Sequence, residues 1–322
     1  MNRAAATVDS APDRPQPSRR GRPGARGPWA TAWRTATRSR VALAGFCLCV
    51  PILALAAVAP MVAPYDPQAM HIGERLRPPS VRHPMGTDVF GRDILSRVIA
   101  GNRVSMEVGG VSVVLGLVVG SALGAATGYA GGAFDDVAMR LMDATLAFPA
   151  ILLALVLVAI MGTGLVAVMT AVAALRIPIF ARTVRGLVLS ERTRDYVDAA
   201  RCIGQRQTLI LLRHIIPNVA SPTIVLATSY FASGIVIEAS LSFLGLGVVP
   251  PDVSWGTMLN DARQVMQLDP WTAIFPGAAL SIAVLAFNLL GDGLRDLLDP
   301  RLRSAIGVRA ARGVATLDAP RS

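Results

Sequence analysis

Hydrophobic residues occur in long unbroken runs, unlike the spaced stripes of a water-soluble helix or the alternation of a half-buried strand. A bilayer core is about 30 Å thick and a helix rises about 1.5 Å per residue, so roughly 20 apolar residues can cross it. Such runs cover residues 41–63, 108–132, 144–175, 215–237 and 271–291. The third run is too long for one span and is interrupted at Gly162 and Gly164, which predicts separate helices at 144–161 and 165–182. The pattern predicts an all-α polytopic membrane protein with six transmembrane helices.

The composition agrees with this fold class. Hydrophobic residues make up 53% of the 322 residues and charged residues 16%, whereas a soluble domain has about 25% charged residues. A disordered chain, a disulfide scaffold and a typical cytosolic enzyme are therefore excluded. Three cysteines are present, without the spacing of a zinc site.

The net charge of +10 comes entirely from arginine, because the chain contains no lysine. A basic chain raises nucleic acid as a partner, but the distribution of arginine gives another explanation. Cytoplasmic loops of membrane proteins are enriched in basic residues. A cytoplasmic N-terminus would place 24 arginines inside and seven outside. We therefore expect both termini in the cytoplasm and no nucleic-acid partner.

The same topology divides the chain into segments. Residues 1–40 are predicted to be a disordered, basic cytoplasmic tail, because Pro, Gly, Arg, Ala and Ser dominate them. The first transmembrane helix covers 41–63, and 64–107 form an extracytoplasmic loop. Residues 292–322 form a second cytoplasmic tail.

Four glycines in the second span are spaced by four residues, at Gly116, Gly120, Gly124 and Gly128. Residues at this spacing lie close to one face of a helix. Small residues let a second helix approach closely within a membrane. The pattern predicts intimate helix packing along this face and is silent about function.

The segment 176–217 reads as helical and amphipathic. Val197, Ala200 and Ile203 follow helical spacing, and Gly204 then interrupts the pattern. A glycine permits a left-handed turn at a helix end, so two short helices are expected to meet at Gly204. Pro217 is expected to set the start of the fifth span. The segment could lie on the lipid surface or dock onto a cytoplasmic partner, and the pattern alone leaves both open.

Motifs in this segment resemble the EAA loop of ABC importer permeases. Asp198-Ala199-Ala200 is followed by Gly204 after three residues and then by Ile216-Pro217. Asp198 stands where the family has Glu, and Ile216 where it has Leu. Three further blocks resemble the C-type permease subunit of the dipeptide, oligopeptide and nickel importers, at 83–97 (HPMGTDVFGRDILSR), 238–247 (EASLSFLGLG) and 288–296 (NLLGDGLRD). The resemblance covers roughly residues 41–303.

The resemblance implies a type I ABC importer permease fold in a bacterial inner membrane. Residues 108–291 would be the permease core, with the EAA coupling loop at 186–217. The partners implied are a second homologous permease, two cytoplasmic ABC ATPases, an extracytoplasmic substrate-binding protein and membrane lipid. The family's ATPase contact maps onto Asp198, Ala199, Ala200, Gly204 and Pro217.

The chain itself is expected to be a transport subunit and not an enzyme. A Walker A motif needs a lysine, and the chain has none. ATP and Mg would therefore be bound by the partner ATPases, and no cofactor is expected in this chain. His-Glu-x-x-His and Gly-x-Ser-x-Gly are also absent.

Polar residues in the spans are candidates for the substrate path. Glu238, Ser233 and Ser229 lie in or near the fifth span, where an ionisable group is a functional candidate. Glu238 could instead have an interfacial or packing role. Arg176 is expected either to reach the membrane interface with its long side chain or to contact a partner.

Two alternatives concern function. Within transport, the substrate could be a nickel chelate or glutathione in place of a di- or oligopeptide. In another class, the chain could be an intramembrane enzyme, although its spans offer mainly Gly, Ala, Ser and Thr.

Overall fold

The computed structural model describes residues 40–298, and the predicted tails at 1–40 and 292–322 lie almost entirely outside them. Regular structure in the described part is helical, apart from one isolated bridge between Thr87 and Asp93. In chain order the helices are α1 (Arg40–Val62), α2 (Ile94–Ala130), α3 (Gly132–Leu146), α4 (Ala150–Met161), α5 (Leu165–Glu191), α6 (Asp195–Cys202), α7 (Gln207–Phe243), α8 (Trp255–Ala262) and α9 (Trp271–Leu298).

Helices α1, α2, α5, α7 and α9 are each long and apolar enough to cross a membrane. Helices α3 and α4 pass the same test together but are bent by 96°. The predicted continuous helix at 144–161 is therefore wrong. Pro149 lacks an N–H group and disfavours helical backbone in the residue before it. The chain breaks at this proline, and a sixth span would consist of this bent pair.

Two helices extend further than the hydropathy predicts. Helix α2 begins at Ile94, inside the predicted loop 64–107, because the Asp93 carboxylate accepts a hydrogen bond of 2.8 Å from the Ser96 N–H and caps the helix. Helix α5 continues past the predicted end at residue 182 to Glu191. Its last turns carry Arg185, which makes two hydrogen bonds, of 2.5 and 2.6 Å, to the Asp135 carboxylate on α3.

The glycine face of α2 packs directly against α5, which confirms the prediction of close helix packing. A Cβ atom on Gly120 would lie 2.6 Å from the carbonyl oxygen of Ile177. A Cβ on Gly128 would lie 2.9 Å from the carbonyl oxygen of Arg185. Neither distance is compatible with a side chain, so the two backbones are in contact along several turns.

At one end of the bundle, which we call the loop end, residues 63–93 meet residues 244–270. Arg92 donates hydrogen bonds of 2.6 Å to Asp88 and 2.9 Å to Asp261. Arg97 also reaches Asp261, at 3.3 Å. These buried or half-buried charges join the segment before α2 to helix α8. The sequence block at 83–97 and helix α8 are therefore neighbours in space.

Candidate functional site: the coupling elbow and the polar residues of the bundle

The elbow, residues 192–215, contains helix α6 and the first turns of α7 and lies at the end of the bundle opposite the loop end. Helix α6 ends at Cys202, and Gly204 follows in a left-handed conformation with φ of 75°. The Gly204 N–H donates to the Arg201 carbonyl at 2.9 Å, and the Gln205 N–H donates to the Ala200 carbonyl at 3.1 Å. This pair of bonds is a Schellman motif, the usual helix end that favours glycine. Helices α6 and α7 thus meet at Gly204.

An apolar face holds the elbow against the bundle. Val197, Ala200, Ile210 and Ile215 are buried in one cluster that also contains residues of α2 and α5. Burial of such side chains contributes roughly 1.5–3 kcal/mol each. The elbow is therefore a packed part of the bundle.

Hydrogen bonds to α2 fix the start of the elbow. The Arg192 guanidinium donates to the carbonyl oxygens of Gly128 and Tyr129 at 3.0 and 3.3 Å. These carbonyls belong to the last turn of α2, where the helix dipole favours a cation. The Tyr129 hydroxyl also contacts the side-chain amide oxygen of Gln207. The sequence offered no signal for these contacts, because the partners are distant along the chain.

A second set of bonds joins α6 to its flanking helices. The Tyr196 hydroxyl donates to the Glu191 carboxylate at 2.6 Å and accepts from the Asn218 amide at 3.2 Å. Burial, together with the hydrogen bond to Glu191, raises the pKa of the Tyr196 phenol, so the hydroxyl remains a donor at neutral pH. His214 and Gln205 are joined by a hydrogen bond of 3.0 Å across the turn. These bonds connect the elbow with the ends of both α5 and α7.

The predicted coupling residues fall on different sides of the elbow. Asp198, Ala199, Gly204 and Pro217 are exposed, whereas Ala200 is buried in the apolar cluster. Within residues 40–298, the one ion pair of Asp198 is with Arg201, at 2.9 Å and at the surface. Four of the five residues are thus available to a partner, and Ala200 serves the packing of the elbow itself.

Ile203 was expected to continue the apolar face of Val197 and Ala200, and this is wrong. Helix α6 ends at Cys202, so the chain turns before the helical period would return Ile203 to the bundle. Its side chain is 81% exposed. Leu209 and Leu212, one turn apart on α7, are also exposed. We call Ile203, Leu209 and Leu212 the elbow tip. The tip is an apolar surface next to several arginines, which suits a protein partner.

Glu238 is fully buried between α7 and α2. Its carboxylate accepts hydrogen bonds from the Ser105 hydroxyl at 3.2 Å and the Ser242 hydroxyl at 2.8 Å. The Ser242 oxygen in turn accepts from the Val248 N–H at 3.2 Å. The carboxylate thus ties α2, α7 and the loop after α7 together. This arrangement favours the packing alternative for Glu238 over a direct place in the substrate path.

Ser229 and Ser233 lie one turn apart on α7, near the middle of the bundle. Ser229 is exposed and Ser233 is half-buried. The Ser233 oxygen accepts a hydrogen bond of 2.8 Å from Arg176 on α5. Arg176 itself is 4% exposed and lies well inside α5. The expectation that it reaches the membrane interface is wrong, because α5 continues for four turns beyond it.

These features define a class of protein. Several long apolar helices make it a multi-pass membrane protein, and the packed, exposed elbow provides a site where a soluble partner can act on two of those helices.

Comparison with known proteins gives the family. The family described as "Binding-protein-dependent transport system inner membrane component" matches residues 116–304. The "N-terminal TM domain of oligopeptide transport permease C" matches residues 27–79.

Similar proteins cover almost the whole chain. A glutathione transport system permease protein of Pectobacterium atrosepticum is 45% identical over 280 residues, which are 87% of this chain and 93% of the relative. A dipeptide transport system permease protein of Alkalihalophilus pseudofirmus is 41% identical over 277 residues, 86% of this chain and 91% of the relative. A glutathione transport system permease protein of Escherichia coli (strain UTI89) is 43% identical over 279 residues, with 86% and 92% covered.

The chain therefore belongs to the family of inner-membrane components of binding-protein-dependent transport systems. It is a permease subunit of an ABC importer and not an enzyme, as the sequence predicted. The alternative of an intramembrane enzyme is overturned. Membership implies ATPase and substrate-binding partners and a place in the inner membrane.

Proposed function

We propose that this chain and a second, homologous permease form the translocation path for di- or oligopeptides. Two cytoplasmic ATPases bind ATP and Mg and drive the cycle, and an extracytoplasmic binding protein delivers the substrate. Both termini and the elbow face the cytoplasm, and the spans contact lipid. The dipeptide permease of A. pseudofirmus supports the substrate class, and the excess of arginine on one side supports the orientation.

Glutathione is the second candidate substrate. The permeases named for glutathione transport in P. atrosepticum and E. coli are 45% and 43% identical to this chain, close to the 41% of the dipeptide permease. Glutathione is itself a tripeptide, so one path could accept both. A nickel chelate is a further alternative, although none of these three relatives is named for nickel transport.

The elbow is the element that receives force from the ATPases. One observation carries this assignment: the elbow is packed on α2 and α5 and continues into α7, yet exposes Ile203, Leu209 and Leu212. An apolar tip of this kind fits a groove on a partner. Asp198, Ala199, Gly204 and Pro217 would line the contact, and Ala200 would support it from inside.

Displacement of the elbow would move α5 and α7 as one unit, because Tyr196 bonds to Glu191 and Asn218, which lie on the two helices. Substrate and ATPases would then bias the inward- and outward-facing states through their different affinities for each. Ser229 and Ser233 lie on α7 where such a movement would change the path. Glu238 would hold α7 to α2.

The decisive experiment is to purify the chain with the proteins that co-assemble and to reconstitute the complex in lipid vesicles. ATP-dependent uptake of a labelled dipeptide, an oligopeptide, glutathione and a nickel chelate is then measured with the binding protein present. Peptide uptake that requires ATP supports the proposal. Uptake of glutathione or the chelate alone would replace the proposed substrate, and a complex without ATPases would refute the coupling.

A further inference from the structure

Arg176 is a buried cation in the middle of the bundle. It lies eleven residues after the start of α5, which is roughly 16 Å along the helix axis and close to the midplane of a 30 Å bilayer core. Helices α2 and α7 enclose it. A Cβ on Gly116 of α2 would overlap the Arg176 side chain, and Ser233 and Tyr230 of α7 contact its guanidinium.

The contacts of the guanidinium leave much of its binding capacity unused. One terminal nitrogen donates to Ser233 at 2.8 Å, and the Tyr230 ring centroid lies 4.8 Å from the guanidinium carbon. The Nε atom is buried and has no hydrogen-bond partner. Within residues 40–298 the contacts of the Arg176 guanidinium are with the neutral Ser233 and Tyr230, and no carboxylate acts on it. A guanidinium has five N–H donors in a planar fork that matches a carboxylate.

An unpaired cation at membrane depth is costly, and such residues mark substrate or ion pathways. Ser233 and the Tyr230 ring are neutral groups, so neither compensates the charge of the guanidinium as a carboxylate would. We infer that Arg176 binds the carboxylate group of the substrate during translocation. This inference rests on the proposed peptide function. Dipeptides, oligopeptides and glutathione all carry a free carboxylate, so one cation would serve the whole substrate class.

The neighbours of Arg176 give the site a route to the path. Ser233 and Tyr230 are half-buried, and Ser229 is exposed one turn along from Ser233 on α7. The two side chains that contact the Arg176 guanidinium are thus themselves partly open to the surface of the subunit. In this structure Tyr230 and Ser233 satisfy part of the binding capacity of the guanidinium. A shift of α7 would exchange these weak partners for the carboxylate, which is a stronger one.

The test uses the complete importer in lipid vesicles, with its second permease, ATPases and binding protein. Initial uptake is measured for a dipeptide and for the same dipeptide with its C-terminal carboxylate converted to an amide. Arg176→Met is the main variant, because replacing a buried unpaired charge with an apolar side chain tends not to impair folding. We expect it to lower free-acid uptake about tenfold or more and amide uptake far less, so that the free-acid preference collapses.

Two further variants control the comparison. Arg176→Lys keeps the charge without the planar fork and should retain part of the free-acid preference. Arg182→Met removes an exposed arginine from the same helix and should leave the ratio of free-acid to amide uptake at the wild-type value. The binding protein is the same in every arm, so its own preference cancels between variants. Direct binding of the dipeptide to purified importer, measured by calorimetry, gives a second readout that needs no transport of the amide.

Each outcome decides the matter. Equal losses for the free acid and the amide would show a structural role and overturn the inference. Failure of Arg176→Met to assemble in the absence of substrate would also overturn it, because the charge would then pair with a group of the partner permease. An equal loss of preference in Arg182→Met would remove the assignment to Arg176. If the wild-type importer takes up no peptide at all, the proposed function fails, and the calorimetric binding of the dipeptide then tests Arg176 separately.

Discussion

Replacement of Gly204 tests whether the elbow depends on a left-handed backbone. A Cβ built on Gly204 meets no atom within 4 Å, so a methyl group would have room. Among the residues that the structure describes, the φ of 75° is therefore the one obstacle to a side chain. An L-residue in this conformation costs about 1–2 kcal/mol, and Asn tolerates it better than Ala. Gly204→Ala should therefore weaken the elbow, and Gly204→Asn should weaken it less.

The expected destabilisation by Gly204→Ala can be measured as more frequent local opening of the elbow. A cost of about 1–2 kcal/mol corresponds to a factor of about 5–30 in the ratio of opened to closed elbow. Hydrogen exchange of peptides that cover residues 195–215 should accelerate by this factor in Gly204→Ala. The N–H groups of Gly204 and Gln205, which close the turn, should change most. Uptake per ATP hydrolysed should fall in the same order, wild type above Asn above Ala, while membrane insertion stays intact.

Gly186 on α5 provides the matched control. It also has no atom within 4 Å of a built Cβ, but it lies inside a helix without positive φ. Gly186→Ala should be neutral or slightly stabilising, because Ala favours a helix by about 1 kcal/mol over Gly. Wild-type exchange and coupling in Gly204→Ala would refute the backbone argument. Equal damage from Ala and Asn would instead show that any side chain clashes with the ATPase.

Three other substitutions test separate contacts. Gly120→Ala should destabilise the purified complex by about 1–3 kcal/mol, because the new Cβ would press on the Ile177 carbonyl. The unfolding temperature of the complex should fall accordingly. Gly110→Ala is the control and should not lower it, because the nearest atom to its Cβ would lie at 3.5 Å. Glu238→Leu should lower the stability of the complex by about 1–3 kcal/mol, because it removes the acceptor for the Ser105 and Ser242 hydroxyls. Glu238→Gln should keep both the stability and the uptake. A stable but inactive Gln variant would instead place the charge in the substrate path. Asp198→Arg should lower the uptake per ATP hydrolysed. Membrane insertion should be unchanged, because the surface ion pair of Asp198 with Arg201 adds little stability. Normal uptake per ATP would contradict the docking role of Asp198.

Five of the spans and the close packing of α2 were readable from the sequence. Both depend on properties that act locally and repeat along the chain. A run of about 20 apolar residues has no stable place in water, and glycines spaced by four lie on one helical face wherever the helix packs. The turn at Gly204 was readable for the same reason, because a left-handed helix end favours glycine through its own backbone.

The roles of the polar residues were decided only by the tertiary structure. Hydropathy averages over a window and does not record which face a residue occupies, so it could not show that Ile203 points outward or that Arg176 lies at the centre of the bundle. Glu238 and Ser105 are 133 residues apart in sequence and yet form a buried hydrogen bond. The sequence shows that a charge is present in a span, but whether it is tied down, exposed or unpaired depends on groups from other helices, which only folding brings within hydrogen-bond distance.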